Sequence, residues 1–179
     1  MPLRKRVDPT MTIPTLQTDR LILRAPTQND FPVYKSFYAD EAGSAFYGGP
    51  LSEEQAWKKL AYDLGHWPLR GYGMWSVEER STGKMIGGCG LVWPEGWPRS
   101  ELTWWIVPAA RRKGYAIEAS HAAINFAYQT LGWAQVETHM DDDNGPARCL
   151  AMKLSGTAIA RERFPDGERR DVFALPRAD

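Results

Sequence analysis

The stretch RRKGYAIEAS, residues 111–120, joins a cluster of positive charge to the start of a helix. Small and apolar residues recur in and after it at helical spacing, among them Ala116, Ser120, Ile124 and Ala127. The start of a helix is its positive end, where unpaired N–H groups and the macrodipole favour anions. Three adjacent cations at that end therefore require an explanation.

An anion bound at the helix start would explain these charges. Backbone N–H groups at the end of a loop form a ready phosphate site, and Gly114 lacks the side chain that would block close approach. A diphosphate fits both this glycine and the cations at residues 111–113. A solvated basic turn explains the same residues, and spacing alone favours that simpler interpretation. No Walker pattern, G-x-x-x-x-G-K-[ST], occurs in the chain.

The segments around this loop predict a mixture of helices and hairpins. Residues 101–107, ELTWWIV, are typical of a strand that ends at Pro108, and residues 134–140, AQVETHM, of the next strand. A strand, a helix and a second strand in this order imply one parallel pair. The whole chain predicts the order β, α, α, β, β, β, α, β, α, β, β, which is an α+β, or mixed α/β, class with about seven strands and about four helices.

Capping residues predict where the helices begin and end. Thr27 is suited to cap the first helix, and Ser52 with Gln55 forms a capping-box pattern for the second, which we expect to end at Gly65. A short helix is predicted to begin near Asn144.

Composition limits the classes of function. Lys plus Arg number 22, as do Asp plus Glu, so nucleic-acid binding through a general basic field is not expected. No apolar run approaches the roughly 18 residues that cross a bilayer, and the N-terminus lacks a secretory signal. Cys89 and Cys149 form no metal spacing, so a reduced, cytoplasmic protein is expected. We expect residues 1–12 to form a disordered tail, with Met11 a candidate start, and residues 13–179 a single domain.

Three motifs resemble the GNAT superfamily of N-acyltransferases. RRKGYA fits that family's R/Q-x-x-G-x-G/A acyl-CoA loop. Residues 16–30, LQTDRLILRAPTQND, resemble the L-x-T-x-R-L-x-L-R opening of its RimJ/RimL-type branch, and residues 101–119 are similar to that branch's E-I-G-Y-W-I-x-P-x-x-W-G-K-G-Y-A-T-E-A. Residues 141–147, DDDNGPA, resemble its D-x-x-N-x-x-S segment. The resemblance covers roughly residue 16 to the end, and three ordered motifs are far more specific than the loop alone.

This resemblance implies a GNAT-like, mostly antiparallel mixed sheet whose one parallel pair splays apart, with acetyl-CoA as cosubstrate and no metal. The backbone of the loop would hold the pyrophosphate, the strand edge would pair with pantetheine amides, and an asparagine would bind the pantetheine arm. The residues implied are Ile106, Val107, Arg111, Arg112, Lys113, Gly114, Tyr115, Ala116 and Asn144. Asn144 also suits a plain helix N-cap, and both roles can coexist.

Acyl transfer to an amine needs a neutral amine, donors for the developing oxyanion and departure of the thiolate. The resemblance makes Glu101 the general base, and apolar neighbours such as Trp104 suit a carboxylate that accepts a proton near neutral pH. A rim glutamate on a solvated strand end is the alternative. The oxyanion donor is expected to be a backbone N–H near Val107.

Departures from the branch's pattern leave the general acid open. Ala151 stands where many relatives have tyrosine, and Ala147 where the branch has serine. His139 is an alternative base, although a lone histidine on a strand is more often structural. The acidic run MDDDN is typical of a turn before a helix and lacks the spacing of a calcium loop.

We therefore expect an N-acetyltransferase that moves an acetyl group from acetyl-CoA to a primary amine by direct attack. The acceptor would be an amine-bearing small molecule or a protein N-terminus. No nucleic-acid or membrane partner is expected, and the protein would be a monomer or a homodimer. Trp93, Trp97, Trp104 and Trp105 form either an acceptor wall or part of the core. The missing tyrosine and serine leave a non-catalytic acyl-CoA-binding or sensor module as the alternative.

Overall fold

A computed structural model describes residues 12–177 of the chain. Its strands are β1 (Leu16–Gln17), β2 (Leu21–Arg24), β3 (Met74–Glu79), β4 (Lys84–Val92), β5 (Glu101–Ile106), β6 (Val136–Met140), β7 (Thr157–Arg163) and β8 (Arg169–Leu175). Its α-helices are α1 (Phe31–Ala39), α2 (Glu41–Ser44), α3 (Glu53–Arg70), α4 (Tyr115–Gln129) and α5 (Gly145–Lys153). The predicted tail, residues 1–12, lies outside the described residues except for its last member.

The strands form two antiparallel sheets that meet at β5 and β6. The first sheet has the order β1-β2-β3-β4-β5 and the second the order β6-β8-β7. No backbone ladder joins β5 to β6 within residues 12–177. Side-chain contacts from Arg99 to Glu137 (3.0 Å) and from Glu101 to His139 (2.7 Å) follow the same order along both segments, so the two strands run parallel. The predicted mixed α/β class, with one parallel splayed pair, is confirmed.

Helix α3 is longer than predicted. The capping box at its start is confirmed, but the prediction that Gly65 ends it is wrong, because the helix continues to Arg70 and ends at Gly71, where φ is 83°. In the added turn Trp67 is fully buried and packs edge-to-face on Trp75, with 4.8 Å between ring centroids. Burial of so large a side chain outweighs the roughly 1 kcal/mol that a helical glycine costs.

Helices cover both faces of the first sheet. Alternate residues of β5 divide between two buried clusters: Leu102, Trp104 and Ile106 join the cluster that contains α4, while Trp105 joins the cluster of α1 and α3. None of the helices in residues 12–177 has both the length and the apolar character needed to cross a bilayer.

A carboxyl group is buried beneath α1. Asp63 of α3 is 4% exposed, and its Oδ2 accepts a hydrogen bond of 2.7 Å from the hydroxyl of Tyr34. Burial raises the pKa of Asp63 to about 6, against the opposing effects of the Lys59 charge and of this hydrogen bond.

We expect Asp63→Asn to change how stability depends on pH. The folded pKa of Asp63, about 6, lies above the ordinary value of 3.8, so the folded state holds this proton more tightly than the unfolded state. The contribution of Asp63 to wild-type stability should therefore fall as pH rises through this interval, by about 3 kcal/mol in total. Because asparagine does not ionise, urea unfolding should show the variant gaining stability relative to wild type between about pH 4 and pH 7.

The exposed Asp19 offers a matched control, and Asp19→Asn should show no such gain. A stability difference between Asp63→Asn and wild type that does not vary with pH would contradict the prediction.

Candidate active site

The divergence of β5 from β6 opens a cavity of about 170 Å³. Glu101 at the start of β5, His139 on β6 and Asn144 at the start of α5 lie on its wall. Phe46 and Tyr47, from the segment between α2 and α3, also line it. Two residues that the sequence assigned to different roles, Glu101 and Asn144, therefore face one cavity.

Glu101 and His139 approach each other closely. Glu101 Oε2 lies 2.7 Å from His139 Nε2, and the two side chains are 20% and 5% exposed, respectively. The distance is that of an ion pair, but the atoms are not aligned for a hydrogen bond, and Nε2 has no other hydrogen-bond partner within residues 12–177. A carboxylate and a buried imidazole thus share one wall of the cavity.

Two aromatic rings, Trp97 and Phe164, pack against the imidazole and against each other, with 5.4 Å between their own centroids. Trp97 stacks on His139 with 5.8 Å between ring centroids and 16° between planes, and Phe164 approaches it to 4.2 Å. Arg170 lies over both of these rings and binds Asp141 at 2.6 Å. His139, Trp97 and Phe164 come from three separate segments, so their meeting leaves no motif in the sequence.

The four tryptophans that the sequence placed in an acceptor wall or in the core have different positions. Trp97 and Trp104 line the cavity, Trp105 is 2% exposed in the core, and Trp93 is 39% exposed. His66, in the turn of α3 that the sequence placed outside the helix, accepts a hydrogen bond of 3.0 Å from the Trp93 N–H. Burial lowers the pKa of His66, which keeps this ring neutral. This contact fixes the loop that carries Trp97.

The loop before α4 presents unpaired donors. Gly114 adopts φ 82° at the helix N-cap, in the left-handed region that favours glycine. In the described part of the chain, the N–H groups of residues 112–117 have no backbone acceptor. The side chains of Arg112 and Lys113 beside them are exposed. Donors and positive charge therefore converge at one place.

Arg111 is engaged elsewhere. Its Nε donates to Ile106 O at 2.8 Å, and its Nη2 donates to Gly43 O at 2.7 Å. The guanidinium thus ties the end of β5 to α2. The sequence predicted that Arg111, Arg112 and Lys113 together bind an anion. Of these three residues, only Arg112 and Lys113 have exposed side chains.

Tyr115 and its neighbours brace the loop from the side of β2 and β3. The Tyr115 hydroxyl bonds to Glu79, and the Arg20 guanidinium lies 4.6 Å from the centroid of the tyrosine ring. Arg20 also donates to Glu118 at 2.7 Å and to Lys113 O at 2.9 Å. The Tyr115 side chain therefore faces β3, and only its backbone points toward the free donors of the helix start. Ala116, half-buried, follows in the first turn.

The edge of β5 that faces β6 is open. The Val107 N–H donates to Ile86 O, and Val107 O accepts from the Ala110 N–H, both at 2.9 Å, so Val107 has no free backbone group for an oxyanion. In an antiparallel ladder, alternate residues point away from the partner strand. Trp104 and Ile106 therefore direct their N–H groups toward the open edge.

Asn144 is the N-cap residue of α5 and also lines the cavity. Its Oδ1 accepts a hydrogen bond of 3.1 Å from the Ala147 N–H, which confirms the helix cap, and the residue also lines the cavity. Ala147 lies on the same wall, and Ala151 is fully buried behind it. Neither alanine supplies a hydroxyl group to the cavity.

Comparison with known proteins agrees with this geometry. Residues 20–157 match the family model described as an acetyltransferase (GNAT) domain. The uncharacterized N-acetyltransferase YoaA of Bacillus subtilis (strain 168) is 26% identical over 144 residues, which are 79% of this chain and 81% of that protein.

Solved structures share the fold over almost the whole chain. The acetyltransferase from Agrobacterium tumefaciens str. C58 superposes with a TM-score of 0.85 at 29% identity, over 97% of this chain and 100% of that one. RimL, a ribosomal L7/L12 alpha-N-protein acetyltransferase solved with coenzyme A, has a TM-score of 0.72 at 15% identity, over 90% and 97%, respectively. The family match extends from β2 to the start of β7 and includes the braced loop, the open edge of β5 and all residues that line the cavity except Arg170. The chain belongs to the GNAT family of acetyltransferases.

Proposed function

We propose that the protein transfers the acetyl group of acetyl-CoA to a primary amine by direct attack. The observation that carries this proposal is the position of Glu101 in the cavity at the start of β5, the strand whose far end leads into the free donors before α4. An acyl-CoA needs an anion site for its pyrophosphate and a strand edge for the amides of its arm. The residues present fit both needs.

Specific groups would hold acetyl-CoA. The N–H groups of residues 112–116, with the charges of Arg112 and Lys113, suit the pyrophosphate. The Ile106 N–H on the open edge of β5 suits an amide of the pantetheine arm, while Ile106 O is already bonded to Arg111. The Asn144 side-chain NH₂ can donate to the same arm, because its cap bond uses only the oxygen.

Glu101 serves as the proton acceptor. When bound, acetyl-CoA supplies the carbonyl carbon that forms the new C–N bond, while its C–S bond breaks and the electron pair leaves with sulfur. Glu101 takes the proton that the amine loses, directly or through one water. The Trp104 N–H, which also points to the open edge and lies nearer Glu101, is the candidate donor to the developing oxyanion. Because Ala147 and Ala151 carry no acidic group, no residue of this chain is assigned to protonate the leaving sulfur.

The acceptor is an amine on a small molecule or at a protein N-terminus. The name of the RimL neighbour, an alpha-N-protein acetyltransferase, supports the second class. Both classes present the same nucleophile to Glu101, so a panel of small amines and of peptides with free N-termini tests the proposal.

We expect Glu101→Gln to lower kcat by about 100-fold or more, because positioned general bases contribute roughly 10²- to 10⁴-fold. Thiol release from acetyl-CoA across the acceptor panel measures the loss. Affinity for CoA by calorimetry should be unchanged, which would show that the variant is folded.

Glu54→Gln is the matched control, since the Glu54 carboxylate on α3 is 68% exposed and pairs only with Lys58 among described residues. It should retain wild-type turnover. Tight CoA binding without turnover by the wild-type protein would instead favour a non-catalytic acyl-CoA-binding or sensor module.

We expect the double variant Arg112→Glu/Lys113→Glu to bind CoA at least roughly tenfold more weakly, because charge-assisted contacts to phosphate are among the stronger hydrogen bonds. Calorimetry with CoA measures the change. Arg163→Glu/Arg169→Glu, at an exposed cross-strand pair in the β7–β8 hairpin, alters net charge equally and should leave affinity unchanged. Equal affinities for the two double variants would favour the solvated basic turn.

A further inference from the structure

We propose that His139 is a positioning residue that holds the Glu101 carboxylate toward the acceptor, an inference that rests on the proposed function. His139 Nε2 lies 2.7 Å from Glu101 Oε2, and the imidazole is 5% exposed. With its proton on Nε2, the ring donates toward Oε2. That contact leaves Oε1 of Glu101 to accept the proton of the amine.

Packing alone does not explain a histidine at this position. The contacts with Trp97 and Phe164 suit any aromatic ring, and an apolar ring would leave no buried polar atom behind. His139 Nε2 is buried without a hydrogen-bond partner among the described residues, and Glu101 lies within ion-pair distance of it. Buried polar atoms in native proteins are nearly always bonded, so an unaligned one next to a carboxylate indicates a contact that completes under other conditions.

The surroundings make the imidazole the fixed member of the pair. Trp97 and Phe164 restrict its rotation, and the β6 backbone at His139 pairs with Val172 of β8. Glu101 lies at the first position of β5 and is more exposed, so its side chain has more freedom. A held ring can therefore restrict a freer carboxylate, and hydrogen bonds of catalytic groups often tighten only when substrate binds.

The other charges near His139 are already paired. Arg170 binds Asp141 and Asp166, each at 2.6 Å. Arg99 binds Glu137 at 3.0 Å and Glu162 at 2.5 Å.

Of the described charged groups on β5, β6, β8 and the adjoining loops, Glu101 is the one placed within ion-pair distance of the imidazole. The imidazole therefore acts on Glu101 and on no competing carboxylate.

His139→Phe tests the proposal, because it keeps a ring packed against Trp97 and Phe164 and removes the nitrogen. We expect kcat for acetyl transfer to fall roughly tenfold to 100-fold, as small misplacements of catalytic groups do, with the KM for acetyl-CoA unchanged. His139→Gln, which can place an N–H near the Nε2 position, should recover part of this loss. A packing role predicts the opposite order, with phenylalanine tolerated better than glutamine.

A double-mutant cycle shows whether His139 acts through Glu101. In the Glu101→Gln background, His139→Phe should cause little further loss of kcat, because the group that it positions is already absent. If the fold-losses in kcat of the two single variants multiply in the double variant, the proposal is overturned. A His139→Phe variant with wild-type kcat would overturn it as well.

The free energies of unfolding of the same four proteins, measured in urea, give a second test that needs no acceptor amine. Coupling between the two sites in stability shows that the contact exists in solution, and additive effects on stability would overturn the inference. An active wild-type protein with uncoupled variants overturns this inference alone. A wild-type protein that binds CoA without turnover overturns the proposed function and the inference with it.

Discussion

The missing ladder between β5 and β6 is the constraint on which the rest of the site depends. Strands that bond along their length leave no room between them and no free backbone groups. Within residues 12–177 no backbone ladder joins β5 to β6, and side chains bridge the two strands instead, as where Thr138 Oγ1 donates to Leu102 O at 2.9 Å. The gap supplies the cavity, the open edge of β5 and the wall on which Glu101 and His139 meet.

The loop before α4 shows how one charged cluster serves two purposes. Arg111 donates to two carbonyls and fastens the end of β5 to α2, while Arg112 and Lys113 stay exposed. Arg20 braces the other side through Glu118 and Lys113 O. The donors of the helix start are therefore held in place before any ligand arrives, which lowers the entropy cost of binding an anion.

The candidate site was predictable where its residues lie in one continuous motif. Glu101, the loop at residues 111–116 and Asn144 were all identified from segments that resemble a family pattern. His139 was noted only as an alternative base, and Trp97 only as one of four tryptophans. Phe164 was not singled out at all, because a contact among three distant segments depends on the packing of the second sheet against the first.

The sequence by itself determined most of the elements and their order, because helix caps, glycines and the periodicity of apolar residues act over a few neighbouring positions. It missed β1 and α2, which have two and four residues and are too short to show a periodicity. Where such local signals conflict with burial, they fail: Gly65 favours the end of a helix, yet the burial of Trp67 extends α3 by another turn. Only the tertiary structure decided that the strands divide into two sheets and that the Arg111 guanidinium donates to two backbone carbonyls. It also decided that the Glu101 carboxylate lies next to the buried imidazole of His139. These outcomes depend on distances between residues far apart in the chain, and no local pattern encodes them.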